Sequence, residues 1–555
     1  MNKKVCSFPI LFALLALLIG TCAVVFPASA QAAPTSTGSI TVSGTVASSY
    51  DAYQIFSANV VDGDSDAKIA TDLAWASDAV RDAALPVLHS AGMPNSQITA
   101  QEAVEWLNTD SHLTSALSAQ LARSLQSSGA VSVALNAGAA TELPCGYWLI
   151  VADDDAISQN EAGTAPITAL VGGGAVTVKP KAATPKVAKH VLEDSAAAWQ
   201  KASDATVADD LYWRLSATVP AGLTAYDTYT VRFVDTMGAG LDPSKVAASM
   251  RVYVAAGADG GFDAVSADKD GRAGTDPAKG WTDITAQCAT KVAADGTFTV
   301  RTGDLIAALG GADAFTAGAR VVAVYNAPLN SACNHGIAKG NPNEVYLRYP
   351  RSPFADQSGD AGFTRTPSDD ACAYTWDLAL TKRGSDGDKP LAGAVLSIAD
   401  DRGRTLAADG TWDAEGKVTV TTGEDGRVTI SGVDSGKLEV RELKAPKGYT
   451  AFEGTRSVTV KAEGLDVDQV AAAKPKLTIT AESPLRADSA DGSTGSLEAS
   501  LINTPTGTPP SITTGGFMPS TGDMAMYAAA AAAVAGAALI VVALLVKRGG
   551  GSHKE

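Results

Sequence analysis

The chain has 555 residues and a formal net charge of −17, set by 60 Asp and Glu against 43 Lys and Arg. With no basic run outside the termini, that balance argues against nucleic acid as a partner and for a solvated, exported body. Aromatic residues make up 6% and histidine occurs five times, so thin β-layers are expected rather than one thick core, and no metal site or cofactor is expected.

In chain order, Lys3-Lys4 precede an apolar stretch from Phe8 to Phe26 and the small residues Ala28-Ser29-Ala30 and Ala30-Gln31-Ala32. This predicts a secretory signal peptide over residues 1–32. Residues 33–183 open with strand alternation at Ser39–Ser43 and Tyr50–Val61. They take helical spacing at Leu73–His89 and Thr99–Leu125, then return to strands at Trp148–Val151, Ile167–Val171 and Ala175–Val178. A sandwich with a helical insertion is the expected result.

Pro180 and Pro185 mark a hinge to a middle domain at 184–370. Its expected strands are Leu211–Leu215, Thr228–Phe233, Met250–Val254, Thr297–Val300, Arg320–Tyr325 and Glu344–Tyr349, separated by Gly- and Asp-rich turns. Asp268–Gly271 carries a trace of a calcium loop, lacks the downstream Glu, and reads as a surface turn. Residues 371–506 give another run of strands: Trp376–Thr381, Ala394–Ile398, Lys417–Thr421, Arg427–Ile430, Leu438–Glu442, Ser457–Val460 and Ser496–Asn503. The fold class is mainly β, tandem Ig-like sandwiches followed by one C-terminal transmembrane helix.

A Thr-, Pro- and Gly-rich spacer and short motif fill 507–523, and an apolar run follows at 524–546. At about 1.5 Å per residue that run can cross a bilayer once as a helix. Lys547-Arg548 then keep the tail, 547–555, in the cytoplasm. Four cysteines lie beyond the signal peptide: Cys145, Cys288, Cys333 and Cys372. An even number in an oxidising compartment permits disulfides, with the pairing left open. A bridge between Cys333 and Cys372, or to Cys288, would brace the middle domain.

Met518-Pro519-Ser520-Thr521-Gly522, set just before the apolar run and basic tail, resembles the cell-wall sorting signal of Gram-positive bacteria. Met518 stands where the family has Leu, a volume-conserving change. Inside the third domain, Glu442-Leu443-Lys444-Ala445-Pro446-Lys447-Gly448-Tyr449 resembles the pilin E box. Leu378-Ala379-Leu380-Thr381-Lys382 near the domain's start and Leu501-Ile502-Asn503-Thr504-Pro505 at its end complete the pattern of a collagen-adhesin B-type (Cna-B) domain. The resemblance implies an intramolecular isopeptide bond from Lys382 to Asn503, assisted by Glu442. The chemistry is consistent: burial favours a neutral amine and a protonated carboxylic acid, and the acid can carry protons while ammonia leaves.

The middle domain holds a partial copy. Pro185-Lys186-Val187-Ala188-Lys189 and Val234-Asp235-Thr236-Met237 are similar to the Lys strand and acidic strand of backbone pilins. They imply Lys189 as amine and Asp235 as acid. The family's acceptor Asn is missing from Tyr349-Pro350-Arg351-Ser352-Pro353, so the bond is absent or another Asn serves. Val176-Thr177-Val178-Lys179-Pro180-Lys181 resembles the pilin motif whose Lys is the nucleophile in fibre assembly. That implies Lys181, with Lys179 as the alternative.

Together these resemblances imply a structural subunit of a covalent, sortase-polymerised pilus, wall-anchored and not an enzyme. The implied partners are a sortase, further copies of the same chain, accessory pilins, peptidoglycan and host surface ligands. A monomeric wall-anchored adhesin and a minor pilin are the alternatives.

Overall fold

The computed structural model describes residues 36–507, apart from 63–67, 110, 164, 173, 181–183, 222, 258–260 and 269–271. The signal peptide, Lys181, Met518 to Gly522, the apolar run at 524–546 and the tail lie outside the described residues, as do three of the four residues of the Asp268–Gly271 turn. Among the described residues, no helix is long and apolar enough to cross a membrane. The architecture is mainly β, a succession of two-layered sandwiches.

In the first sandwich the long strand Ser49–Asp62 lies between Lys68–Trp75 and Gly146–Ala152, with Ile167–Val171 beyond and Val133–Asn136 added alongside. Alternation along these strands buries both faces. Tyr50, Ala52, Trp148 and Ile150 pack towards Ile40, Val42 and Leu143, on the three-stranded sheet of Ala140–Pro144, Thr37–Val42 and Ala175–Val178. Tyr53, Ile55, Leu149 and Val151 pack on the helices through Val80, Leu88, Leu121 and Leu125.

The helical insertion differs from expectation in two places, and capping explains both. Leu73 to Trp75 end a strand, and the first helix, Asp78–Ser90, starts at Ser77, whose side chain accepts from Val80 N. The expected helix Thr99–Leu125 is two. Ala100–Asn108 begins with a Thr99/Glu102 capping box, and Ser115–Ser128 has its own cap at Thr114.

Residues 187–374 make two facing sheets. One has the order Ala198–Gln200, Val187–Glu193, Tyr212–Thr218, Arg320–Asn326, Arg251–Ala255, Thr282–Asp283. The other runs Ala202–Asp204, Asp369–Tyr374, Asn341–Pro350, Arg232–Met237, Thr297–Arg301, Ala289–Val292, with Phe363–Arg365 paired to Asn341–Pro350. Trp213, Leu215, Phe233, Phe298, Val321, Val345 and Leu347 fill the space between them. The expected strand Thr228–Phe233 starts only at Arg232. Side chains hold the preceding backbone instead: Tyr229 N donates to Asp304 Oδ1 (2.9 Å), Thr230 N to Gln357 Oε1 (3.0 Å) and Val231 N to Thr302 Oγ1 (3.0 Å).

The last sandwich pairs Trp376–Gly384 in parallel with Ser496–Pro505, flanked by Arg427–Val433 and Tyr449–Thr450. In the facing sheet Val395–Ala399, Gly436–Lys444 and Thr455–Glu463 are central and Lys476–Ala481 forms one edge. Leu378, Leu380, Leu396, Ile398, Val440 and Val458 form its core.

Polar contacts tie the second sandwich to the third. Asp204 Oδ2 accepts from Trp376 Nε1, Ser435 N and Ser435 Oγ, each at 2.7 Å. Val207 N donates to Gly432 O at 2.9 Å. Arg402 and Arg404 both reach Asp209, at 2.7 and 2.5 Å. Glu193 lies behind Asp204 and accepts from its backbone N at 3.3 Å. Burial, then the charge of Asp204, push the Glu193 carboxyl up to about 7.

The expected disulfides are not formed: Cys145, Cys288, Cys333 and Cys372 are free thiols. Topology separates Cys145, Cys288 and Cys372. Cys145 is buried beside Ala58 and Val60 in the first sandwich. Cys288 precedes Ala289–Val292 at one edge of its sheet, while Cys372 lies in Asp369–Tyr374 near the other. The Cys333 sulfur faces His335 Nε2 at 3.6 Å, and Cys372 Sγ donates to Ala373 O.

Two outcomes follow. All four of these thiols will react with a maleimide in denaturant without reductant, as read by intact mass; a shortfall would mean a bridge. The raised Glu193 makes the folded state bind more protons than the unfolded state between the ordinary carboxylate range and about pH 7. Its contribution to stability is therefore present below that window and lost as pH rises through it. Melting temperatures across pH 4–8 will show this decline, and Glu193→Gln will flatten its share.

Candidate functional site: two buried lysine–acid–asparagine clusters

In the third sandwich, the parallel pairing sets Lys382 opposite Leu501 and Gly384 opposite Asn503. Lys382 and Asn503 thus lie two residues apart along the sheet on one inward face. Glu442 enters from the facing sheet, on Gly436–Lys444. Lys382 is 0% and Asn503 2% exposed. Asn503 Nδ2 donates to Glu442 Oε1 at 2.9 Å and Oε2 at 3.0 Å. Lys382 Nζ lies 3.6 Å from Glu442 Oε1 and donates to Leu501 O at 3.1 Å. Phe452 N donates to Glu442 Oε2 at 3.1 Å, which fixes the carboxyl.

Burial pulls the Lys382 amine down to about 8, opposed by the charge of Glu442. A usable fraction of the amine is then neutral near physiological pH. Gly384, opposite Asn503 in the pairing, has no room for a side chain, since a Cβ there would collide with Asp386 Oδ1 and the Tyr449 ring.

The middle sandwich repeats the arrangement with other parts. Lys189, on Val187–Glu193, is 0% exposed and pairs with Asp235 of the facing sheet. Its Nζ also donates to Tyr325 Oη at 2.9 Å and lies over the Trp213 and Tyr325 rings, 5.6 and 5.4 Å from their centroids. Burial pulls Lys189 down to about 8 and pushes Asp235 up to about 6, each opposed by its partner's charge.

The sequence left this cluster without an acceptor; the fold supplies Asn343. Its Nδ2 donates to the same Tyr325 hydroxyl at 2.8 Å. Among the described residues, Asn343 Oδ1 and Asp235 Oδ1 have no hydrogen-bond partner, and neither does Asn503 Oδ1 of the other cluster. The signal was present in the sequence. Asn343, Val345, Leu347 and Tyr349 are buried and alternate with the outward Pro342, Glu344, Tyr346 and Arg348. Starting the strand at Glu344 hid Asn343, because the strand in fact begins at Asn341.

Of the two linker lysines, Lys179 follows the strand Ala175–Val178 and is exposed. It belongs to neither cluster.

Residues 377–474 match the SpaA prealbumin-like fold domain family; this segment contains Lys382 and Glu442 and ends before Asn503. The chain is 30% identical over 143 residues to the trypsin-resistant surface T6 protein of Streptococcus pyogenes serotype M6, a match spanning 24% of each chain. The aligned region is thus about a quarter of that relative's length. Among solved structures, the T6 backbone pilin of the same serotype is 16% identical, with a TM-score of 0.45, covering 85% of this chain and 99% of that one. The major pilin SpaD of Corynebacterium diphtheriae is 14% identical, with a TM-score of 0.40, covering 85% and 97%.

Proposed function

We propose that the chain is the backbone subunit of a sortase-assembled pilus on a Gram-positive cell wall, a structural protein that supports adhesion. The observation that carries this reading is the enclosure of Lys382, Glu442 and Asn503 in one buried site between two sheets. Such a site is costly unless its charges are neutralised or consumed. The neutral Lys382 amine attacks the Asn503 carboxamide carbon, Glu442 passes the amine's proton to the leaving nitrogen, and ammonia departs. Lys189, Asp235 and Asn343 do the same in the middle sandwich. Each bond forms once per molecule, without metal or cofactor.

Assembly uses the segments around these sandwiches. A sortase cysteine cleaves between Thr521 and Gly522 and holds Thr521 as a thioester. Lys181 of another subunit attacks it, Lys179 being the alternative. The result is an open head-to-tail filament, finally joined to peptidoglycan, on which accessory pilins and host ligands are the remaining partners. The apolar run at 524–546 serves as a temporary membrane stop.

Two experiments test the reading. Oriented groups make the transfer fast and each bond releases one ammonia, so the folded chain will be lighter than its sequence mass by about 17 Da per bond. Glu442→Ala will remove one such loss. Closing the long loop between 382 and 503 is worth about 4–5 kcal/mol by the entropy estimate used for cross-links. At roughly 2–4 °C per kcal/mol, that variant will melt on the order of 10–20 °C lower. A full-mass wild-type chain would remove the isopeptide reading. Separately, boiled wall extracts will give a high-mass ladder that Lys181→Ala collapses; a single band in the wild type would favour a monomeric adhesin.

A further inference from the structure

The two clusters solve one chemical problem with carboxylates of different reach. In the third sandwich, Glu442 touches both reactants: Oε1 lies 3.6 Å from Lys382 Nζ and 2.9 Å from Asn503 Nδ2. In the middle sandwich the acid is Asp235, one methylene shorter. It contacts Lys189, but the Asn343 nitrogen meets Tyr325 Oη instead, at 2.8 Å. Tyr325 Oη in turn donates to Asp235 Oδ2 at 3.2 Å and accepts from Lys189 Nζ at 2.9 Å. A hydroxyl has one proton and two acceptor positions, so these three contacts use all of them, and all three go to the reacting set.

The ring that holds this hydroxyl is fully buried. It packs edge-to-face on Phe298, with centroids 4.8 Å apart and an interplanar angle of 74°. Pairing of Arg320–Asn326 with Tyr212–Thr218 sets it opposite Trp213, the other wall of the lysine's pocket. Burial raises the phenol well above its usual range, so it remains a proton donor.

We propose that Tyr325 is a catalytic residue of the middle sandwich, relaying the proton that Asp235 is too short to deliver to the Asn343 nitrogen. This rests on the isopeptide reading given above. The step balances as follows. The neutral Lys189 amine attacks Asn343 Cγ, forming the Nζ–Cγ bond, and Nζ gives one proton to Asp235. Asp235 protonates Tyr325 Oη as Tyr325 gives its own proton to Asn343 Nδ2. The Cγ–Nδ2 bond breaks, ammonia leaves, and both relay groups end as they began. The third sandwich needs no such hydroxyl because Glu442 spans both nitrogens.

Tyr325→Phe keeps the ring and its packing and removes only the relay. In full-length chains sampled at intervals after synthesis, peptide mass spectrometry gives the fraction of Lys189 joined to Asn343. General acid–base assistance is worth roughly 10²–10⁴ in rate, so linkage in Y325F will slow by at least about tenfold. The Lys382–Asn503 bond of the same molecules, the internal control, will form at its usual rate. Adding Asp235→Glu to Y325F restores the longer acid and will recover much of the lost rate, which a folding defect would not. Linkage in Y325F at the wild-type rate would overturn the proposal, as would a folded double variant no faster than Y325F. A wild-type chain with no Lys189–Asn343 junction would overturn the reading beneath it.

Discussion

The burial of two lysine amines between packed β-sheets is the constraint from which the rest follows. An ammonium loses its hydration there, and an ion pair only partly restores it. The lysine therefore moves towards its neutral, nucleophilic form, and both Lys189 and Lys382 fall to about 8. The same walls that cost hydration hold an amide and an acid within reach. A sandwich that merely wanted stability would fill these positions with leucine. Here the polar atoms are aligned across two sheets, which is the preparation a covalent bond requires.

The geometry also says why the cross-links would matter mechanically. In the third sandwich Lys382 and Asn503 lie on two adjacent parallel strands, the first and last of that sandwich. In the middle sandwich Lys189 and Asn343 lie on facing sheets. The proposed Lys382–Asn503 tie would close a sheet, and the proposed Lys189–Asn343 tie would close the gap between sheets. Under the proposed function, a pull along the chain would meet covalent bonds before it could peel strands apart.

Between these two sandwiches the chain invests in polar contacts. Asp204 takes three hydrogen bonds from the third sandwich, and Asp209 receives two arginines. Glu193 behind them holds its proton to about pH 7, which links the junction's strength to acidity. Free thiols, rather than disulfides, occupy the cysteine positions, so lysine–asparagine chemistry is left to supply any covalent bracing.

Much of this was legible from residues alone. Period-two alternation located most strands of the second and third sandwiches. The E box and the terminal Lys and Asn of the third domain named Lys382, Glu442 and Asn503, because those residues lie at fixed offsets in local motifs. The targeting segments expected at the two ends lie outside the described residues. What sequence could not settle were features made by long-range pairing. Side-chain acceptors from distant loops delayed the start of the Arg232–Met237 strand, and sheet order placed Cys288 and Cys372 near opposite edges. Asn343 and Tyr325 are the sharpest case: strand register and the facing of two sheets, not any motif, brought them to Lys189. Local pattern determined which residues turn inward, and only the tertiary structure decided which of them meet.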